Sequence, residues 1–192
     1  TTGKPKGVLL MHKNAETYIR GAQKIYPIDN TDRALQGFSV SFDASIEEIW
    51  VTLSVGATLV VGTFDIMRSG DRFSQKLRDL NITFLSCAPT LLSMVKEDIP
   101  CLKILIFGGE VCPKDIVNRW CRQGRTVYNT YGPTESTVIA TYSILHPCEE
   151  VTIGKALDGY DVLLVDEQLN PISEVDKEGE LLIGGESIAR GY

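Results

Sequence analysis

From Arg33 to Tyr131 short apolar runs and helix-period segments alternate, and that alternation restricts the chain to very few architectures. Strand-like runs fall at Arg33 to Ser39, Ala57 to Val61, Ile82 to Cys87, Lys103 to Phe107 and Arg125 to Tyr131. Between the later ones lie helical stretches at Asp71 to Leu80, Pro89 to Lys96 (with proline in its first turn) and Pro113 to Arg122. Successive strands joined through helices run parallel, so the expected fold is α/β: a mostly parallel sheet with helices on both faces. An amphipathic helix over Asn14 to Ile25, stopped by Pro27, precedes the series. Ser45 and Glu48 have capping-box spacing and predict a helix through Ile46, Ile49, Trp50 and Leu53, ended by Gly56.

After Val138 the helical period disappears. Val138 to Leu145, Tyr160 to Val165 and Gly179 to Gly185 are extended, with a turn at Asp166 to Pro171. The expected organisation is therefore an α/β core over residues 1–151 and the start of a smaller β-rich, barrel-like subdomain over 152–192.

In open parallel sheets ligands bind beyond the carboxyl ends of the strands. That rule brings Gly108-Gly109-Glu110 and Asn129-Thr130-Tyr131-Gly132-Pro133-Thr134-Glu135 to one edge. The second stretch offers a ring, a tight turn, a hydroxyl and a carboxylate, which suits a nucleotide and a metal ion. By itself it could equally be a turn, a core tyrosine and a solvated helix start. Thr1-Thr2-Gly3-Lys4-Pro5-Lys6-Gly7 combines glycines with hydroxyls and ammonium groups, as phosphate oxygens require, but it is not a Walker A loop. Asp43 and Glu47 stand four residues apart near a helix start, so their side chains can approach one another only with cations beside them. The plainer alternative is a turn acid and a solvated helix residue.

Composition removes several classes. The net charge of −6 argues against nucleic acid or an anionic membrane as main partner. No apolar run approaches the roughly 20 residues of a membrane span. Five cysteines without C-x-x-C spacing suggest neither zinc nor a disulfide framework, and a cytoplasmic, reducing setting is expected. The two histidines, His12 and His146, lack partners at metal-ligand spacing, which disfavours a His triad or zinc centre.

With these pieces in order, the sequence resembles the adenylate-forming enzymes, most closely the adenylation domains of nonribosomal peptide synthetases. Five stretches carry the resemblance: Thr1 to Gly7; Phe42-Asp43-Ala44-Ser45; Gly108-Gly109-Glu110; Asn129 to Glu135; and Gly179 to Tyr192 with its Ala189-Arg190-Gly191-Tyr192 ending. The resemblance implies ATP and Mg²⁺ as cofactors. Thr1, Thr2, Gly3, Lys4, Lys6 and Gly7 would wrap the β- and γ-phosphates. Tyr131 would stack on adenine beside Gly108, Gly109 and Asn129. Thr134 would meet the α-phosphate and, with the magnesium ligand Glu135, form the catalytic pair.

It further implies attack of a substrate carboxylate on the α-phosphate, giving an acyl-adenylate and pyrophosphate, then transfer to the phosphopantetheinyl thiol of a carrier-protein domain. Asp43 would pair with the α-ammonium of an amino acid. The side-chain pocket would be lined by Ala44, Glu47, Ser86, Ile106, Gly108, Thr130, Val138 and Ile139. One acid in so apolar a lining needs a cation, so the expected substrate is lysine, with ornithine second. The resemblance of this lining to lysine-activating domains points the same way. The matched pattern also implies that the ribose-binding aspartate and the C-terminal domain with the catalytic lysine lie beyond this stretch, so that these residues alone do not complete the reaction. An acyl- or aryl-CoA ligase, or a non-catalytic nucleotide-binding scaffold of the same fold, remain the alternatives.

Overall fold

The computed structural model describes residues 7–192. Those residues form a seven-stranded sheet and a separate two-stranded one. In chain order the elements are α1 (His12–Ile25), β1 (Arg33–Gln36), a continuous helical segment α2 over residues 44–54, β2 (Thr58–Val61), α3 (Phe64–Met67), α4 (Phe73–Asp79), β3 (Phe84–Cys87), α5 (Pro89–Ser93), β4 (Ile104–Phe107), α6 (Lys114–Trp120), β5 (Thr126–Tyr131), β6 (Thr141–Ile144), β7 (Lys155–Ala156), β8 (Tyr160–Val165) and β9 (Glu180–Gly185).

The main sheet has the order β2-β1-β3-β4-β5-β6-β7. Strands β1 to β5 run parallel, and β6 and β7 are added antiparallel at one edge. Because side chains alternate across a strand, neighbouring residues feed different cores. Leu85, Leu105, Phe107 and Val127 pack with Leu77, Leu92, Ile116 and Trp120 of α4, α5 and α6. Phe84, Ile104, Ile106 and Tyr128 pack with Tyr18 and Ala22 of α1 and Val51 of α2. Helices therefore cover both faces, as the alternation required.

Differences from the sequence reading are local. Lys155–Ala156 pairs with β6 and so extends the main sheet past the anticipated division near Thr152, and the second sheet, β8 with β9, begins at Tyr160. A two-residue strand leaves no periodicity to detect. The Ser45–Glu48 capping box does not form. The Ser45 hydroxyl donates instead to the Phe42 carbonyl, and the Glu48 carboxylate accepts the Gly37 and Phe38 amides. Those two N–H groups follow the end of β1, half-buried, and the carboxylate supplies the partner that the strand ladder no longer gives them.

Candidate active site

Segment α2 decides how the acids are presented. Its middle turn, Glu47–Val51, is a π-helical turn, and wider turns of this kind concentrate at functional sites. Two consecutive acids, Glu47 and Glu48, are thereby both buried, at 2% and 0% exposed. Glu48 faces the end of β1, and burial pushes its carboxyl up to about 7 against the pull of the Gly37 and Phe38 amides. Glu47 faces α1. Its Oε2 accepts the Tyr18 hydroxyl at 2.6 Å and the Tyr26 hydroxyl at 3.0 Å. Burial raises its pKa, while donors on Tyr18, Ser86 and Tyr26 pull it down and Asp43 pushes it further up.

Glu47 lies in the wall of a cavity of about 340 Å³ lined also by Asp43, Ala44, Ser86, Gly108, Thr130, Val138 and Ile139. Of the nine side-chain-pocket and ammonium-binding residues read from the sequence, only Ile106 is absent from that lining. It points to the same sheet face but is wholly buried in the core beneath. Phe38, Phe42, Ala88, Gly109, Glu110 and Gly132 complete the wall. Their positions follow strand ends in space rather than any spacing in the chain. Asp43 Oδ2 is buried with no hydrogen-bond partner among the described residues. An orphaned carboxylate oxygen at a cavity wall is an acceptor waiting for a cationic donor.

Of the cavities that share walls with this one, two hold the remaining motif residues. The first, of about 770 Å³, is lined by Gly7, Val8, Phe42, Asp43, Thr134, Glu135 and Tyr192 among others. Both ends of the described chain meet there: the Leu9 amide donates to the Gly191 carbonyl, the Arg190 amide to Leu9 and the Ala189 amide to Glu135. The Tyr192 hydroxyl donates to Glu135 Oε1. Thr1, Thr2, Gly3, Lys4 and Lys6 of the expected phosphate loop lie outside the described residues. The second cavity, of about 490 Å³, is lined by Gly109, Asn129, Thr130, Tyr131, Gly132 and the segment Val151, Thr152 and Ile153. Asn129 Nδ2 donates to the Thr152 carbonyl and ties that segment to the sheet edge. Tyr131 is 42% exposed, its ring available at the rim.

Close backbone packing holds the three cavities in register. A Cβ on Gly132 would stand 2.5 Å from Ile139 Cα and 2.6 Å from the Ala140 nitrogen, and one on Gly108 would stand 2.8 Å from Thr130 Oγ1. Thr137 and Val138 both adopt positive φ, at 60° and 68°, a conformation costly for β-branched residues. It is held by the Thr137 hydroxyl donating to Ser187 and the Tyr160 hydroxyl donating to the Thr137 carbonyl. The second sheet thus buttresses the strained turn that presents Val138 and Ile139 to the cavity.

A family profile described as AMP-binding enzyme matches residues 1–192. The chain belongs to this family. It is 42% identical over its whole length to delta-poly-L-ornithine synthetase of Acinetobacter baumannii (strain AB307-0294), of which it covers 14%. Over its whole length it is also 36% identical to bacitracin synthase 3 of Bacillus licheniformis and 39% identical to tyrocidine synthase 2 of Brevibacillus parabrevis, covering 3% and 5% of those proteins. The chain thus spans a small fraction of the curated relatives it matches. Among solved structures, the adenylation domain AlmE of Vibrio cholerae in complex with glycyl-adenosine-5'-phosphate superposes over all of this chain and 39% of its own, with a TM-score of 0.88 and 26% identity. The doubly covered, mostly parallel sheet read from the sequence is the fold of these adenylation domains.

Among the described residues no three acids, histidines or cysteines cluster as a metal site, and no helix is long and apolar enough to cross a membrane. The donor set nonetheless suits magnesium. One carboxylate, Glu135, beside the Thr134 hydroxyl in a roomy cavity matches an ion that takes one or two carboxylates and completes its octahedron with phosphate oxygens and water.

Proposed function

We propose that the protein activates a basic amino acid, lysine before ornithine, as its adenylate with release of pyrophosphate, for transfer to a carrier-protein thiol. The observation that carries this reading is the pair of acids in one cavity of about 340 Å³: Asp43, the N-cap of α2, with an orphaned buried oxygen, and Glu47 within α2, buried with no cation among its described neighbours. A buried carboxylate without a cation is costly. A diamino acid supplies one ammonium for each acid.

The chemistry divides among the three cavities. Asp43 binds the α-ammonium and Glu47 the side-chain ammonium, so the substrate carboxylate lies toward the shared wall with the larger cavity. A carboxylate oxygen attacks the α-phosphorus, and the bond to the pyrophosphate oxygen breaks with its electron pair leaving on pyrophosphate. Thr134 orients the α-phosphate, Tyr131 stacks the base, and Gly108 and Gly109 let the backbone approach the adenine edge. Magnesium held by Glu135 would neutralise phosphate charge. The catalytic effect is positioning and electrostatic, because two anions must meet. The ornithine in the name of one relative supports the same substrate class. The expected setting is cytoplasmic.

The test is ATP–pyrophosphate exchange by the full-length protein with lysine, ornithine, arginine, leucine and an aryl acid. Exchange with lysine or ornithine well above leucine is expected. Equal exchange with leucine refutes the basic substrate, and exchange with the aryl acid alone favours a CoA-ligase reading.

A further inference from the structure

Glu47 is gripped from outside the cavity it serves. Tyr18, on α1, and Tyr26, just past its end, are 0% and 2% exposed, and neither lines the cavity. Both hydroxyls converge on the same oxygen, Glu47 Oε2. Tyr26 is boxed edge-on by Phe84 and Tyr128, with ring centroids 6.0 and 5.0 Å away. Its hydroxyl therefore cannot follow Glu47 if the carboxylate turns. Burial and the charge of Glu47 hold both phenols well above their ordinary pKa, so they act only as donors.

We propose that Tyr18 and Tyr26 are positioning residues for substrate selection: by occupying Oε2 they fix the carboxylate, present Oε1 to the cavity and keep the group ionised for a cationic side chain. This rests on the basic-substrate reading above. The groups around Glu47 are Tyr18 and Tyr26 from the α1 side, Ser86 from β3, Asp43 at the N-cap of its own helix and Glu48 beside it, with Tyr128 and Tyr160 behind the tyrosines. The charged ones are all acids. The hydroxyl donors are what stabilise the ionised form against burial.

Donors to a carboxylate lower its pKa, so removing one raises it, and the acid limb of lysine activation moves to higher pH. A hydrogen bond to a charged group is worth about tenfold in binding or one pH unit.

The experiment measures pyrophosphate exchange by the full-length protein for the unmutated enzyme, Tyr18→Phe and Tyr26→Phe, each also combined with Glu47→Gln. Phenylalanine keeps the ring packing, and separate substitutions let either one test the idea if the other fails to fold. Expected are a roughly tenfold rise in KM for lysine with little change for leucine, an acid limb about one unit higher, and under twofold further change in the Glu47→Gln background. Unchanged lysine KM and acid limb overturn the proposal, as do equal losses for lysine and leucine, or equal losses with and without Glu47. An unmutated enzyme without preference for lysine or ornithine over leucine removes the underlying reading and this proposal together, whatever the tyrosine variants do.

Discussion

Replacing Glu47 by glutamine separates charge from shape at the heart of the proposed pocket. The amide oxygen can still accept the Tyr18 and Tyr26 hydroxyls, which now converge on Oε2 at 2.6 and 3.0 Å, so the local packing has no reason to collapse. The charge is gone, and in the proposed orientation the amide NH₂ takes the place of Oε1, setting a donor against the substrate ammonium. Removing one partner of a desolvated charged pair costs about 2–5 kcal/mol. Taking ~3 kcal/mol, lysine kcat/KM falls about 150-fold at one decade per 1.4 kcal/mol, while leucine holds or improves. Stability goes the other way. Glutamine relieves the burial of an acid whose charged neighbours are all acids, so the ligand-free variant is expected to melt no lower than the unmutated protein. Pyrophosphate exchange with lysine and leucine, beside a thermal melt, checks both halves. Lysine kcat/KM within threefold of the unmutated value refutes the reasoning, as does a parallel loss for leucine.

Three further outcomes are expected. Gly132→Ala places a Cβ 2.5–2.6 Å from backbone atoms of Ile139 and Ala140 that cannot yield, so it should cost about 1–3 kcal/mol in urea unfolding. It should also lower exchange about 100-fold by shifting Tyr131 and Thr134. Glu48, held near 7 by burial, retains its proton in the folded state to higher pH than in the unfolded state. Stability should therefore fall as pH rises from about 4.5 to about 7 and level off above. Glu48→Gln should flatten that window by up to ~3 kcal/mol in urea melts at pH 5 and 8. Arg125, 9% exposed, donates to the carbonyls of Leu102, Trp120 and Ile99 and to Asp98 Oδ1. Arg125→Met strands all four and should cost about 3–5 kcal/mol, roughly 10 °C in Tm, while KM for ATP stays put because the residue lies at the opposite end of β5 from the cavities.

The sheet is legible from the residues alone, because a strand of period two and a helix of period 3.6 bury different residues and leave different apolar spacings. Leu85 and Phe84 are neighbours in the chain and belong to separate cores, which alternation alone forces. The turn after Tyr131 and the double glycine at Gly108 were legible for the same local reason, and the matched motifs carried Asp43, Thr134 and Glu135 with them. What faces Glu47 was not legible. Tyr18 reads as one more apolar position on an amphipathic helix, and nothing in its spacing says that its hydroxyl reaches an acid 29 residues away. Ile106 failed in the opposite sense: it lies on the correct face of β4, yet neighbouring side chains cover it. Only the tertiary structure ranks residues by depth, brings Tyr192 onto Glu135 and sets the second sheet against the strained Thr137 turn. Those relations depend on where separate elements come to rest against one another, a property that local propensity and period do not encode.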